Sequence, residues 1–174
     1  MNNTTTPLYM MHNLDYNFTP ILPSGYHFRR FSHKDDDKKW AKIMTETKEF
    51  SSERRAIERF NKELLPHITE AKRRIIFIET VDGNTVGTAT AWFGKWTNNT
   101  IGRLHWIEII PDYQGRKLGR PLIIKAMDIL KENHQSAYLK TQASSKAAIH
   151  LYKELGWYPV IKTDKDRKIW KHLG

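Results

Sequence analysis

A mostly apolar run, residues 107–110, stops at Pro111, and a turn rich in glycine and cations follows: Gln114, Gly115, Arg116, Lys117, Leu118, Gly119, Arg120. An amphipathic segment starts directly afterwards at Pro121. A strand end, a basic glycine turn and a helix start make a place for phosphate. The first helical turn leaves its N–H groups without partners, and the helix dipole favours an anion there. The glycines let backbone approach a ligand closely, and Arg116, Lys117 and Arg120 add full positive charges. Pro121 has no N–H, so it fits without loss only in the first turn of a helix. The regular helix is therefore expected to start near Leu118 and to leave the amides before it free.

The elements that must hold this turn can be read on both sides of it. Residues 26–31 alternate as a first strand. Ser32 or one of Asp35, Asp36 and Asp37 can cap a helix that carries Trp40, Ile43 and Met44. Ser51 or Ser52 can cap a second helix with an apolar stripe of Ala56, Ile57, Phe60, Leu64 and Leu65, which Pro66 ends or kinks. Two β-rich runs, 75–80 and 86–93, flank Asp82-Gly83 as a hairpin, and 102–110 completes an antiparallel meander. After the long helix, residues 137–141 read as a fifth strand, parallel to the fourth because a helical crossover joins them. Ser144 or Ser145 caps a short helix that Gly156 terminates. Residues 157–161 and 168–171 offer two final strands. Residues 1–24 read as an irregular, proline-containing lead-in that packs on the domain through Leu14, Tyr16, Phe18, Ile21 and Leu22.

Composition narrows the classes. A chain of 174 residues can bury one real core. No apolar run approaches the ~20 residues of a membrane span, and the first six residues lack the basic start and apolar stretch of a secretory signal. Cytoplasmic location is the expectation. Cysteine is absent, which excludes disulfides, thiol catalysis and thiolate metal sites. The histidines show no metal-ligand spacing, so no metal is expected. A net charge of +10 points to an anionic partner: nucleic acid, a membrane surface or a phosphorylated small molecule. No nucleic-acid motif is present.

The order β-α-α-β-β-β-α-β-α-β-β, with the glycine turn between the fourth strand and the third helix, resembles the GNAT N-acetyltransferase superfamily. Two motifs carry the resemblance. Gln114 and Gly119, preceded by Ile109-Ile110-Pro111, match the acetyl-CoA loop, with Lys117 where the family usually has a glycine. Ser145, Ala148, Leu151, Tyr152, Gly156 and Trp157 follow the second motif, with Ser145 in place of the usual Asn. Both occur in the family's order. The combination is similar to bacterial members of unassigned substrate that carry His-Trp on the fourth strand, Tyr-Gln-Gly in the loop and Thr-Gln after the fifth strand. The resemblance implies an α+β fold of three layers (αβα): a mixed, mostly antiparallel central sheet of about seven strands with helices on both faces, a single GNAT acetyltransferase domain over 25–174.

It also implies roles. Backbone amides from Gln114 through Gly115, Arg116, Lys117 and Leu118 to Gly119, with Arg120 nearby, would hold the pyrophosphate of acetyl-CoA, and Ser145 would add a contact. The strand edge at Ile107 and Ile109 would pair with the pantetheine arm and polarise the acetyl carbonyl through a backbone N–H. Tyr152 would protonate the departing thiolate, a suitable task since a free thiol has a pKa of about 8.5. Ala148, one turn away, leaves room for the arm. His105, on the strand phase of Ile107 and Ile109, is the candidate base, because an unperturbed His titrates near pH 6.5. Glu108 has the opposite phase and points to the other face unless a bulge intervenes. Glu46, Glu49 and Trp92 are candidates for the acceptor cleft, with Trp96 and Trp106 beside them.

The expected activity is direct acetyl transfer from acetyl-CoA to a primary amine, either a small molecule or a peptide, in a ternary complex. No Cys or Ser–His–acid signature suggests a covalent route. The alternatives are a catalytically weak acyl-CoA-binding module and a basic nucleic-acid-binding protein. Many members of the family dimerise, so a homodimer is consistent with the resemblance.

Overall fold

The computed structural model describes residues 6–32 and 34–174. Residues 1–5, part of the six-residue start in which no secretory signal is expected, lie outside the described residues. The strands are β1 (Pro7–His12), β2 (Tyr26–Arg30), β3 (Ile75–Thr80), β4 (Thr85–Trp96), β5 (Asn99–Ile109), β6 (Ala137–Gln142) and β7 (Tyr158–Val160). The helices are α1 (Asp36–Glu46), α2 (Glu53–Glu63), α3 (Ile68–Arg74), α4 (Gly119–Asn133), α5 (Lys146–Glu154) and α6 (Asp164–His172). One seven-stranded sheet runs β2-β3-β4-β5-β6-β1-β7, and only β5–β6 is parallel. Mixed sheet, helices on both faces and a parallel fourth-to-fifth pair agree with the expected class.

Period two along the strands divides the core. Ile76, Ile78, Ala89, Ala91, Leu104 and Leu139 face the cluster under α4, α5 and α6. Phe77, Ile75 and Trp92 face Trp40, Phe60 and Ala71 under α1, α2 and α3. Residues facing both ways are buried along all of β3, as a central strand requires. Leu122, Ile123, Ile124, Met127, Ile129 and Leu130 are buried on α4, each contributing roughly 1.5–3 kcal/mol. That burial fixes the helix start to which the glycine turn is attached. Among the described residues no helix is long and apolar enough to cross a membrane.

Two local readings change. The lead-in is not wholly irregular: Leu8 and Met10 alternate inward, and β1 sits between β6 and β7. The chain then returns over α4, where the Tyr16 hydroxyl donates to Asp128 at 2.6 Å. Residues 168–171 are not a strand. Thr163 and Asp166 form a reciprocal capping box, and α6 follows, seating Trp170 in the core. Pro66 ends the second helix as expected: Leu65–His67 form one 3-10 turn around it, and the chain continues as α3, whose Arg74 is buried. The second helix starts as expected, with Ser52 accepting from the Arg55 N–H.

Candidate active site

The helix start matches the reading from Pro121. Leu118 precedes α4, and the first helical bond runs from the Leu122 N–H to the Leu118 carbonyl. Gln114 is more committed than expected. Its N–H donates to the Pro111 carbonyl at 3.2 Å, and its side-chain amide donates to the Ile109 carbonyl at 2.9 Å. The run of open amides therefore begins at Gly115. Gly115 (φ 74°) and Lys117 (φ 61°) are left-handed, and Leu118 is right-handed. Successive residues of opposite hand turn their N–H groups into one concavity, an anion nest. Lys117 thus occupies a conformation suited to glycine, not an ordinary helical one. The loop cations are partly engaged: Arg116 lies 4.5 Å over the Tyr113 ring, and Arg120 is 3.9 Å from Glu154.

Beside this nest the sheet opens. β5 and β6 pair only over Gly102–Leu104 and Ala137–Leu139, although both strands continue. Beyond that point β5 stays with β4 and β6 stays with β1. The gap is a cleft of about 590 Å³, lined by Ile107, Glu108, Ser145, Ala148 and Tyr152 among others. The Ser145 hydroxyl makes no cap bond to α5, contrary to the expected cap, and is left to the cleft. Tyr152 has no hydrogen-bond partner among the described residues. Burial, and then the charge of Glu108, push its phenol above the usual range, so it holds its proton.

The other wall follows from a bulge. Thr90 faces His105 and Thr88 faces Glu108, so Trp106 and Ile107 together oppose Ala89. Trp106 has φ 50°. Its ring is held edge-on 5.7 Å from Trp40, and its Nε1–H donates to Glu63 at 3.3 Å. The extra residue overturns the expected phase. His105 and Glu108 share one face, and Ile107 and Ile109 pack into the opposite core.

His105 Nε2 is 2.5 Å from the Glu63 carboxylate. Burial pushes the His105 pKa down against the pull of Glu63. The neutral ring therefore donates through Nε2–H, since a carboxylate only accepts. Burial also opposes ionisation of Glu63, but His105, Trp106 and Arg103 outweigh it and hold its carboxyl below the usual range. Glu108 goes the other way. Burial first, and Glu49 second, raise it to about 7, with the Thr47 hydroxyl opposing.

The other candidates separate. Glu49 and Trp106 line the cleft. Glu46 pairs with Lys42 at 3.9 Å and lines a different recess, beside Tyr113. Trp92 is 4% exposed and stacks on Phe93 in the core under α3, outside the cleft. Trp96 stands at the hairpin end against Tyr9 and Lys162. The sequence reading missed Glu63, Arg59 and Arg103, which carried no motif. Among the described residues no group of His, Asp and Glu is placed to hold a metal ion. Open amides at an anion nest, a splayed strand edge and a protonated phenol fit the pyrophosphate, arm and thioester of acetyl-CoA.

Sheet and cleft together define an acetyltransferase fold. Residues 38–157 match the acetyltransferase (GNAT) family, and the chain belongs to it. An uncharacterized N-acetyltransferase of Methanocaldococcus jannaschii is 31% identical over 85 residues, covering 47% of this chain and 38% of that protein. A GCN5-related N-acetyltransferase from Sphaerobacter thermophilus superposes with a TM-score of 0.70 at 18% identity, over 88% of this chain and 48% of that one. Glucosamine-6-phosphate N-acetyltransferase from Arabidopsis thaliana gives 0.56 at 15% identity, over 79% and 95%. The two structures share the fold, and the chain spans less than half the length of the first two relatives.

Proposed function

We propose that the chain transfers the acetyl group of acetyl-CoA to a primary amine held in the cleft, without a covalent enzyme intermediate. The observation that carries this reading is the single cleft that joins Tyr152, Glu108 and the β5 edge beside the open amides of α4. The amides from Gly115 to Arg120 would hold the pyrophosphate, and Ser145 and the edge at Ile107 and Ile109 would hold the arm. Bound acetyl-CoA supplies an acetyl carbonyl activated as a thioester. Glu108, with a pKa near 7, takes the first proton from the acceptor ammonium. The amine nitrogen bonds to the carbonyl carbon and the carbon–sulfur bond breaks. Tyr152 gives its proton to the sulfur, and the second proton shed by the nitrogen restores the phenol. His105, tied to Glu63, positions that wall. Orientation within the cleft supplies much of the rate.

The test is a melting curve with acetyl-CoA against ATP and NAD, followed by thiol release with an amine panel. A ligand at a hundredfold excess over its Kd stabilises by about 2.7 kcal/mol. No shift with acetyl-CoA removes the reading.

A further inference from the structure

The charges of the cleft are sorted by sign along β5. Glu63 is already engaged, by His105 at 2.5 Å, Trp106 at 3.3 Å and Arg59 at 3.8 Å. Glu49 and Glu108 at one end have no cationic partner within ion-pair distance among the described residues. Arg103 and Lys140 at the other end have no carboxylate partner at that distance. The Arg103 guanidinium lies 5.6 Å over the Tyr138 ring, and its Nε is sealed from solvent without a hydrogen-bond partner. A buried donor without an acceptor is costly, and an anion drawn to the same guanidinium would offset that cost.

The register sets the span. Arg103 faces Trp92 and Glu108 faces Thr88, so the two share a face and are separated by four steps of β4, about 13 Å between Cα atoms. The Arg103 side chain shortens that gap.

We propose that the acceptor is an amine carrying an anionic group several bonds away, a carboxylate or a phosphate. Arg103 and Lys140 receive the anion while the amine sits at Glu108 and Glu49. This rests on the acetyltransferase reading and narrows it. Compact α-amino acids are too short to bridge the two ends. Diamines place a second cation against Arg103, whose neighbouring carboxylate, Glu63, is already engaged by His105, Trp106 and Arg59.

The test compares 6-aminohexanoate, 6-aminohexyl phosphate, hexylamine and hexane-1,6-diamine as acceptors. It reads kcat/KM by thiol release and, in parallel, calorimetric binding to CoA-saturated protein. At least one anionic acceptor should exceed hexylamine tenfold or more in both, and the diamine should be poorest. The better of the two anionic arms identifies the anion. Arg103→Met should bring the ratio near one, with the loss in the KM of the anionic acceptor. Equal values for hexylamine and both anionic acceptors, or a preference for the diamine, overturn the inference. Failure of acetyl-CoA to shift the melting curve overturns the underlying reading instead.

Discussion

His105 and Glu108 lie on the same face of the sheet because Trp106, at φ 50°, is an extra residue in β5. A left-handed Trp costs roughly 1–2 kcal/mol. The contacts with Trp40, Phe50 and Glu63 hold it there. The bulge brings a carboxylate of raised pKa into the cleft beside an imidazole that burial keeps neutral.

From this follows a pH profile. The wild-type kcat/KM should rise as pH passes about 7, where Glu108 ionises, well below the titration of an alkyl amine near 10.4. Glu108→Gln should lose that limb and about a hundredfold or more in rate. His105→Ala should keep the limb near 7 at reduced rate. A profile that loses its limb only in His105→Ala would move the base to His105.

Glu108 also couples rate to stability. Its folded pKa of about 7 lies above the 4.5 of an unperturbed glutamate. The neutral form is the one the fold prefers, so its contribution is full below pH 4.5 and is lost as pH rises through 7. Glu108→Gln should therefore be more stable than wild type at pH 8, by up to about 3 kcal/mol, and nearly equal at pH 4. Urea denaturation at the two pH values reads the difference.

Tyr152→Phe should lower kcat by about a hundredfold or more while acetyl-CoA still shifts the melting temperature. The hydroxyl has no partner among the described residues, so its removal leaves nothing in the fold unsatisfied. Unchanged turnover would take the proton-donor role away from Tyr152.

Gly156→Ala should destabilise by roughly 2–4 kcal/mol, since strain and a clash add. Gly156 has φ +90°, and a Cβ there would lie 2.9 Å from His12 Nε2. That ring cannot move aside. Its Nδ1 accepts from the Leu14 N–H at 2.7 Å, so its Nε2–H donates to the Leu155 carbonyl at 2.9 Å. The midpoint in urea is the readout.

Legibility followed local chemistry. Pro111, Gly115 and Pro121 act within their own turn, so the strand end, the loop and the start of α4 could be placed. Tyr152 and Ala148 share a helical face by spacing, and the cleft holds both. The bulge was not legible: Leu104, His105, Trp106 and Ile107 include no glycine, and the left-handed Trp106 depends on Trp40 and Phe50, remote in sequence. Glu63 ends α2 like any helix glutamate until the fold sets it against His105. Ile169-Trp170 among cations imitated a strand, whereas the capping box of Thr163 and Asp166 starts a helix there.

β1 has a consequence in time. It pairs with residues 137–142 and 158–160, so an early part of the chain waits for a late one during synthesis. Until β6 emerges, Leu8 and Met10 have no sheet to join, and β1 then keeps one edge open until residues 158–160 follow. Such distant pairing slows folding and leaves unpaired edges open to other chains. Growth temperature and chaperone supply should govern the soluble yield more than the stability of the finished protein does.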